Sequence, residues 1–160
     1  PANEFVEEFL GKERLIQGRP DVVTVGQITG GTPVTISPQD SLKTALMVMR
    51  DKKVDSLLVV DTDNVLQGYI DIEMVNVSHK TAETVEEAME KEVFAVTEDS
   101  LLRDTVHKIL RRGFKYVPVI DCDGRLTGIV TRAALANLLY DTIWGDGMEF
   151  EESDSGSQEQ

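Results

Sequence analysis

The chain has 160 residues, 41% apolar and 6% aromatic, and its 16 Lys and Arg stand against 29 Asp and Glu for a net charge of −13. A domain of this size hides about 68–70% of the surface its extended chain would expose, so it can build a core without staples. The acidic balance argues against non-specific nucleic-acid binding, no apolar run approaches the ~18 residues that cross a bilayer, and a single cysteine, Cys122, excludes an internal disulfide. A lone thiol suits a reducing compartment, and Cys122 reads as an inert surface group. His79 and His107 lack Cys or His companions at ligand spacing, so no metal is expected. Charge is spread unevenly: residues 141–160 hold seven acids and no base, whereas residues 100–135 hold seven Lys and Arg against three Asp.

The chain opens PANEFVEEFLGKERL, without the basic start and apolar stretch of a secretory signal. It does not begin with Met and is expected to be a piece of something longer. Phe5, Val6, Phe9 and Leu10 fall at helical spacing and predict an amphipathic helix that needs a partner. Beyond it, a shift of sixty residues lays Asp61 on Asp121, Asp63 on Asp123, Leu66 on Leu126 and Gly68 on Gly128, an internal repeat that organises everything else.

The first copy begins with the extended piece PVTIS. A helix follows, capped by Asp40 and presenting Leu42, Ala45, Leu46 and Met49 on one face. Two strands, LLVVD and LQGYI, come next, joined by the acidic turn DTDN, and a second helix begins near Asp71. The linker NVSHKTAET leads to Thr84 and Glu87, spaced as a capping box for the short helix VEEAM. The second copy repeats the order: VFAVT; a helix capped by Asp99 with Leu102, Val106, Ile109 and Leu110 inward; YVPVID and LTGIV around the turn DCDG; and a last helix from Thr131 through RAALANLLYDTI, stopping at Gly145 with Trp144 at its end. The two predicted caps are one residue short of sixty apart, so the register slips there and returns. Pro118 implies an edge strand or a place where a missing N–H is tolerated. Gly68 and Gly128 read as turn or bulge residues, and the paired aspartates as turn formers rather than cation ligands. The end, MEFEESDSGSQEQ, has the composition of a disordered tail.

Each β-α-β-β-α unit is about 50 residues, small for independent stability. The expected fold class is therefore α+β, with two β-α-β-β-α repeats packed sheet to sheet. No GxxxxGK[ST] occurs, nor any nucleophile–base pair or paired acids outside the repeat, so an enzyme is not expected.

This tandem order, with an apolar VVD-x-D-x-x-apolar-x-Gly pattern in each copy, resembles the CBS-domain pair known as a Bateman module. The resemblance covers residues 25–139. It implies an N-terminal helical segment or linker over 1–24, repeat 1 over 25–75, a linker over 76–84, repeat 2 over 85–139, and a helix end with an acidic tail over 140–160. The opening stretch, with VDSLLVVD, LRDTVHKILRRGFKYVPVID, GIVTRAAL and YDTIWG, is similar to the regulatory region of the ATP-binding subunits of compatible-solute ABC importers. That likeness implies a homodimer, attached through the parent chain to an ATPase core and membrane permease subunits, in the cytoplasm at the inner face of the cell membrane.

CBS pairs commonly bind adenine nucleotides between their repeats. The family pattern after the last strand is Gly-apolar-apolar-Ser/Thr-x-x-Asp, its hydroxyl meeting phosphate and its Asp holding ribose. Here the second copy reads Gly128-Ile129-Val130-Thr131-Arg132-Ala133-Ala134, and the first reads Gly68-Tyr69-Ile70-Asp71-Ile72-Glu73-Met74. Both lack the ribose Asp, and the first places acids where phosphate would sit. The resemblance therefore implies a ligand-binding set centred on the second copy. Thr131 supplies a hydroxyl, Arg132 and Lys115 positive charge, Tyr116 a ring that stacks on a base, Ile129 a cover, and Val34 with Val54 an apolar wall. An adenine ligand with phosphates but no free ribose diol, cyclic di-AMP, fits that set; AMP or ATP is the alternative. Without the resemblance, Tyr116 is a strand aromatic, Thr131 an N-cap, Arg132 a surface ion-pair partner, and Val34, Val54 and Ile129 core residues. An ionic-strength sensor, using the basic surplus at Arg103, Lys108, Arg111 and Arg112, and a pure dimerisation scaffold are the rival readings.

Overall fold

The computed structural model describes residues 24–138, 140, 143 and 144. The predicted helix over 5–10, the stop at Gly145 and the acidic tail lie outside them. Chain order is β1 (Thr35–Ile36), α1 (Leu42–Lys52), β2 (Ser56–Val60), β3 (Leu66–Asp71), α2 (Ile72–Ser78), α3 (Val85–Ala88), α4 (Leu102–Arg112), β4 (Tyr116–Ile120) and β5 (Leu126–Thr131). Helix α5 follows over 132–138, with 140, 143 and 144 also helical. The pairs α1/α4, β2/β4 and β3/β5 are offset by sixty residues at both ends. Described residues fall into two compact units, one of 31–97 with 118–129, the other of 24–30, 98–117 and 130–138.

In the first of these units, β1 runs parallel to β2 and β2 antiparallel to β3. Leu57, Val59 and Ile70 point from the sheet into a core shared with Leu42, Ala45 and Met49 of α1, Val75 of α2 and Val85 of α3. Each Val, Leu, Ile or Met among them, removed from water, contributes about 1.5–3 kcal/mol. The α1 cap is Ser41, whose side chain accepts from the Thr44 N–H. Asp40, the expected cap, instead accepts from the Ser37 N–H with its carboxylate. Leu46 also departs from expectation and is 40% exposed, because the helix buries a narrower stripe through Leu42, Ala45 and Met49.

The β2–β3 turn is built by Asp61, whose Oδ1 accepts from the N–H groups of Asp63 and Val65. Asp121 Oδ1 does the same for Asp123 and Arg125. The position needing positive φ is filled by Asn64 in one turn and Gly124 in the other. The two turns are joined: Leu66 N–H donates to Gly124 O, Leu126 N–H to Asn64 O, Asn64 Nδ2 to Leu126 O and Arg125 Nε to Asp63 O. The register of β2 against β3 shifts between Val59 and Val60, and Gly68 sits beside that bulge. The segment at Glu90 pairs with Tyr69 there, and a Cβ on Gly68 would collide with the Glu90 carbonyl. Asp71 caps α2 through the Met74 N–H, and Thr84 with Glu87 forms a capping box at α3.

Pro118 explains why the parallel strand of the second copy shrinks. In the first copy Leu58 N–H donates to Val34 O, and Thr35 and Ile36 both pair with β2. Pro118 stands sixty residues after Leu58 and has no N–H. What remains is one bridge, Val96 to Val119, with Val96 N–H donating to Pro118 O and Ile120 N–H to Val96 O.

In the other unit, a 3-10 turn at Val25–Gln27 is held against 98–100 by Val25 N–H to Ser100 O and Gly26 N–H to Glu98 O. Helix α4 is capped by Leu101, which makes no side-chain cap bond, and not by Asp99. The true caps, Ser41 and Leu101, are sixty apart, so the predicted register slip does not occur. Leu102, Thr105, Val106 and Ile109 are buried, and Thr105 takes the place Ala45 holds in α1. Its hydroxyl has no hydrogen-bond partner.

Candidate functional site

Four of the seven expected ligand residues lie in the unit containing α4. Tyr116, half-buried, opens β4, and Thr131 closes β5, the neighbouring strand. Thr131 Oγ1 accepts from the Ala134 N–H at 3.1 Å and so caps α5. Its hydroxyl proton is left to be donated. Arg132 starts α5, and its N–H donates to Lys115 O at 3.3 Å. Its guanidinium does not go to a surface acid. Nη1 donates to Ile109 O and Phe114 O, both at 3.1 Å. The terminal carbonyls of a helix lack intrahelical donors and carry the negative end of its dipole, which draws a cation there. Arg111 and Arg112 in the last turn of α4 and Lys115 just beyond it are exposed. The C-terminal end of α4 is therefore positive despite its dipole.

The other three, Val34, Val54 and Ile129, belong to the unit of 31–97 and 118–129. Val34 packs on the core and accepts the Leu58 N–H with its carbonyl. Val54 is 37% exposed just after α1. Ile129 lies beside Gly31, its Cγ1 3.8 Å from where a Cβ would stand.

The same region of the first copy is acidic instead. Asp71 replaces Thr131, and Glu73 is exposed in the first turn of α2. The Tyr69 phenol is pushed above its ordinary value, first by burial and then by the negative charges of Glu90 and Asp71. A phosphate would meet the same field.

Sequence reasoning missed the carbonyl partners of Arg132 and the joining of the two turns by Arg125. The first had a signal, since Arg132 stands where the first copy has Ile72. The second depends on tertiary placement of Asn64 and Asp63, which no local pattern announces.

Two β-α-β-β-α copies at a fixed sixty-residue offset, with a hydroxyl-capped helix and Arg132 after the last strand of the second, define a tandem α+β module. The chain belongs to the CBS domain family, whose model matches residues 20–75 and 85–141. It is 53% identical, over 99% of its length, to the carnitine transport ATP-binding protein OpuCA of Listeria monocytogenes. It is 56% identical, over 91% of its length, to the glycine betaine/carnitine/choline transport ATP-binding protein OpuCA of Bacillus subtilis. The chain spans 41% and 38% of those two relatives and matches their C-terminal region. Among solved structures, Staphylococcus aureus OpuCA matches with a TM-score of 0.66 and 38% identity, covering 73% of this chain and 99% of that one. CBSX2 in complex with AMP matches with a TM-score of 0.65 and 26% identity, covering 72% and 95%.

Proposed function

We propose that the chain is the regulatory module of a compatible-solute ABC importer, that it binds cyclic di-AMP, and that the bound ligand inhibits transport. The observation that carries this reading is the charge asymmetry of the two repeats. Thr131, Arg132 and Lys115 surround the end of the second, whereas Asp71, Glu73 and Glu90 surround the end of the first. The ligand set is Val34, Val54, Lys115, Tyr116, Ile129, Thr131 and Arg132. Leu46 and Met47 on α1 and Ile72 and Val77 on α2 are exposed apolar side chains that suit a homodimer. A two-fold ligand on a two-fold dimer takes the same residues from each chain. Such a ligand changes transport only by favouring one arrangement of the paired modules over another. The relatives named for carnitine and glycine betaine transport support an importer at the inner face of the membrane.

Isothermal titration of the purified chain with cyclic di-AMP, AMP and ATP tests the proposal. Saturable binding of cyclic di-AMP at one ligand per two chains is expected. Loss of a base-stacking ring costs about 1–3 kcal/mol, roughly 5- to 150-fold in affinity for Tyr116→Ala. Binding of AMP or ATP alone would favour the second reading, an energy sensor, which the AMP complex of CBSX2 recommends. Against it stand Ala134 and Met74 at the ribose positions. Heat from none of the three would move the reading to ionic-strength sensing or scaffolding.

A further inference from the structure

Helices α1 and α4 stand sixty residues apart but end differently. At the end of α1 the Met49 carbonyl takes two main-chain donors, the N–H groups of Lys53 and Val54. At the end of α4 the corresponding carbonyl, Ile109 O, takes the Gly113 N–H at 3.1 Å and Arg132 Nη1 at 3.1 Å. The same nitrogen donates to Phe114 O at 3.1 Å. Main-chain bonds from the last helix to the connector are common to both copies: Arg132 N–H to Lys115 O in the second, Ile72 N–H to Asp55 O in the first. The guanidinium is what the second copy adds. It spans the end of α4 and the connector 113–115, which starts at Gly113 with φ 76° and leads into Tyr116.

We propose that Arg132 is a positioning residue for Lys115 and Tyr116. Nη1 straps the connector to the end of α4, and the affinity of the module for an anionic adenine ligand depends on Arg132 through where Tyr116 is held, besides the charge it lends. A connector that begins on a glycine has unusual backbone freedom, and the planar guanidinium fixes the directions of the two Nη1 hydrogens, which the freely turning ammonium of a lysine on its flexible stem does not. Nη1 has two hydrogens, one for each carbonyl, and the donors of Nε and Nη2 are not used by the strap. The effect on affinity rests on the ligand reading above; the strap does not.

Two measurements on the 160-residue chain test this. Amide hydrogen exchange without ligand is compared among the chain, Arg132→Gln and Arg132→Lys, with β3 reporting that the fold is intact. The strap predicts exchange over 113–117 faster by about tenfold, the factor that a loss near 1.4 kcal/mol gives, in Arg132→Gln. It also predicts a clear acceleration in Arg132→Lys, which keeps the charge. Unchanged exchange in both variants overturns it. Cyclic di-AMP titrations of Tyr116→Ala, Arg132→Gln and the double variant then form a cycle. Arg132→Gln should weaken binding much more with Tyr116 present than with Ala at that position. Additive losses overturn the claim that Arg132 acts through Tyr116. A parent chain that does not bind cyclic di-AMP sinks the ligand reading instead, while exchange still decides the strap.

Discussion

Thr105→Val should make this protein more stable. Thr105 is 0% exposed on the inner face of α4, and its hydroxyl has no hydrogen-bond partner. A buried hydroxyl left unpaired costs about 1–3 kcal/mol in lost hydration. Valine keeps the shape, replaces the hydroxyl with a methyl, and has nearly the same helix propensity as threonine. The expected gain is therefore about 1–3 kcal/mol. With a urea slope of about 2 kcal/mol per molar, the unfolding midpoint should rise by roughly 0.5–1.5 M. Melting should shift upward by about 2–4 °C for each kcal/mol. Thr105→Ala, which copies Ala45 of the first repeat, removes the hydroxyl but also a packed methyl group, so it should fall below Thr105→Val. A lower midpoint for Thr105→Val than for the parent chain would refute the reasoning, because it would mean that the hydroxyl is satisfied when the chain is folded.

Lys53 ends α1 at φ 59°, where its counterpart is Gly113. Lys53→Gly relieves a left-handed strain of about 1–2 kcal/mol against an entropic loss of somewhat less, and urea titration should show a net gain near 0.5–1 kcal/mol. Gly68→Ala puts a methyl group against the Glu90 carbonyl and should cost about 1–3 kcal/mol in the same assay, as overpacking does; an unchanged midpoint would mean that the Glu90 segment yields freely. Tyr69 holds its proton more tightly folded than unfolded. Its contribution to stability is complete below the ordinary tyrosine value of about 10 and is lost as pH rises through the higher folded value. Ultraviolet titration of the chain against Tyr69→Phe should place that ionisation above the ordinary value, and a midpoint at or below it would contradict the assigned burial.

The repeat was legible because it is written in side-chain type. Apolar β-branched runs, acidic turns and a glycine recur at sixty, and both strand pairs and both long helices obey that spacing. The capping box at Thr84 and the N-cap at Asp71 were equally local, since donor and acceptor lie within three residues. The helix starts at Ser41 and Leu101 are not legible in the local sequence. Asp40 offers as good a cap as its neighbour, and the choice is made by Ser37, whose N–H takes the Asp40 carboxylate. For Leu101 no local rule applies, because a leucine caps nothing. That helix begins beside the bridge between Thr24 and Leu101, residues 77 positions apart in sequence.

What the sequence determined by itself was the alphabet of each copy: the order of strands, turns and helices, and that Asp71 replaces the hydroxyl in the first copy while Arg132 follows it in the second. Those are properties of residue type at a fixed spacing, and spacing survives any arrangement of the chain. Tertiary structure alone decided how the polar groups were used. It made Arg132, expected as a ligand cation or otherwise as a surface ion-pair partner, a donor to Ile109 and Phe114, and left the Thr105 hydroxyl unpaired. It also tied the two acidic turns together through Asn64 and Arg125. A side chain's partner depends on which main-chain groups folding brings within about 3 Å of it, and that information is held by the packed chain, not by its local order.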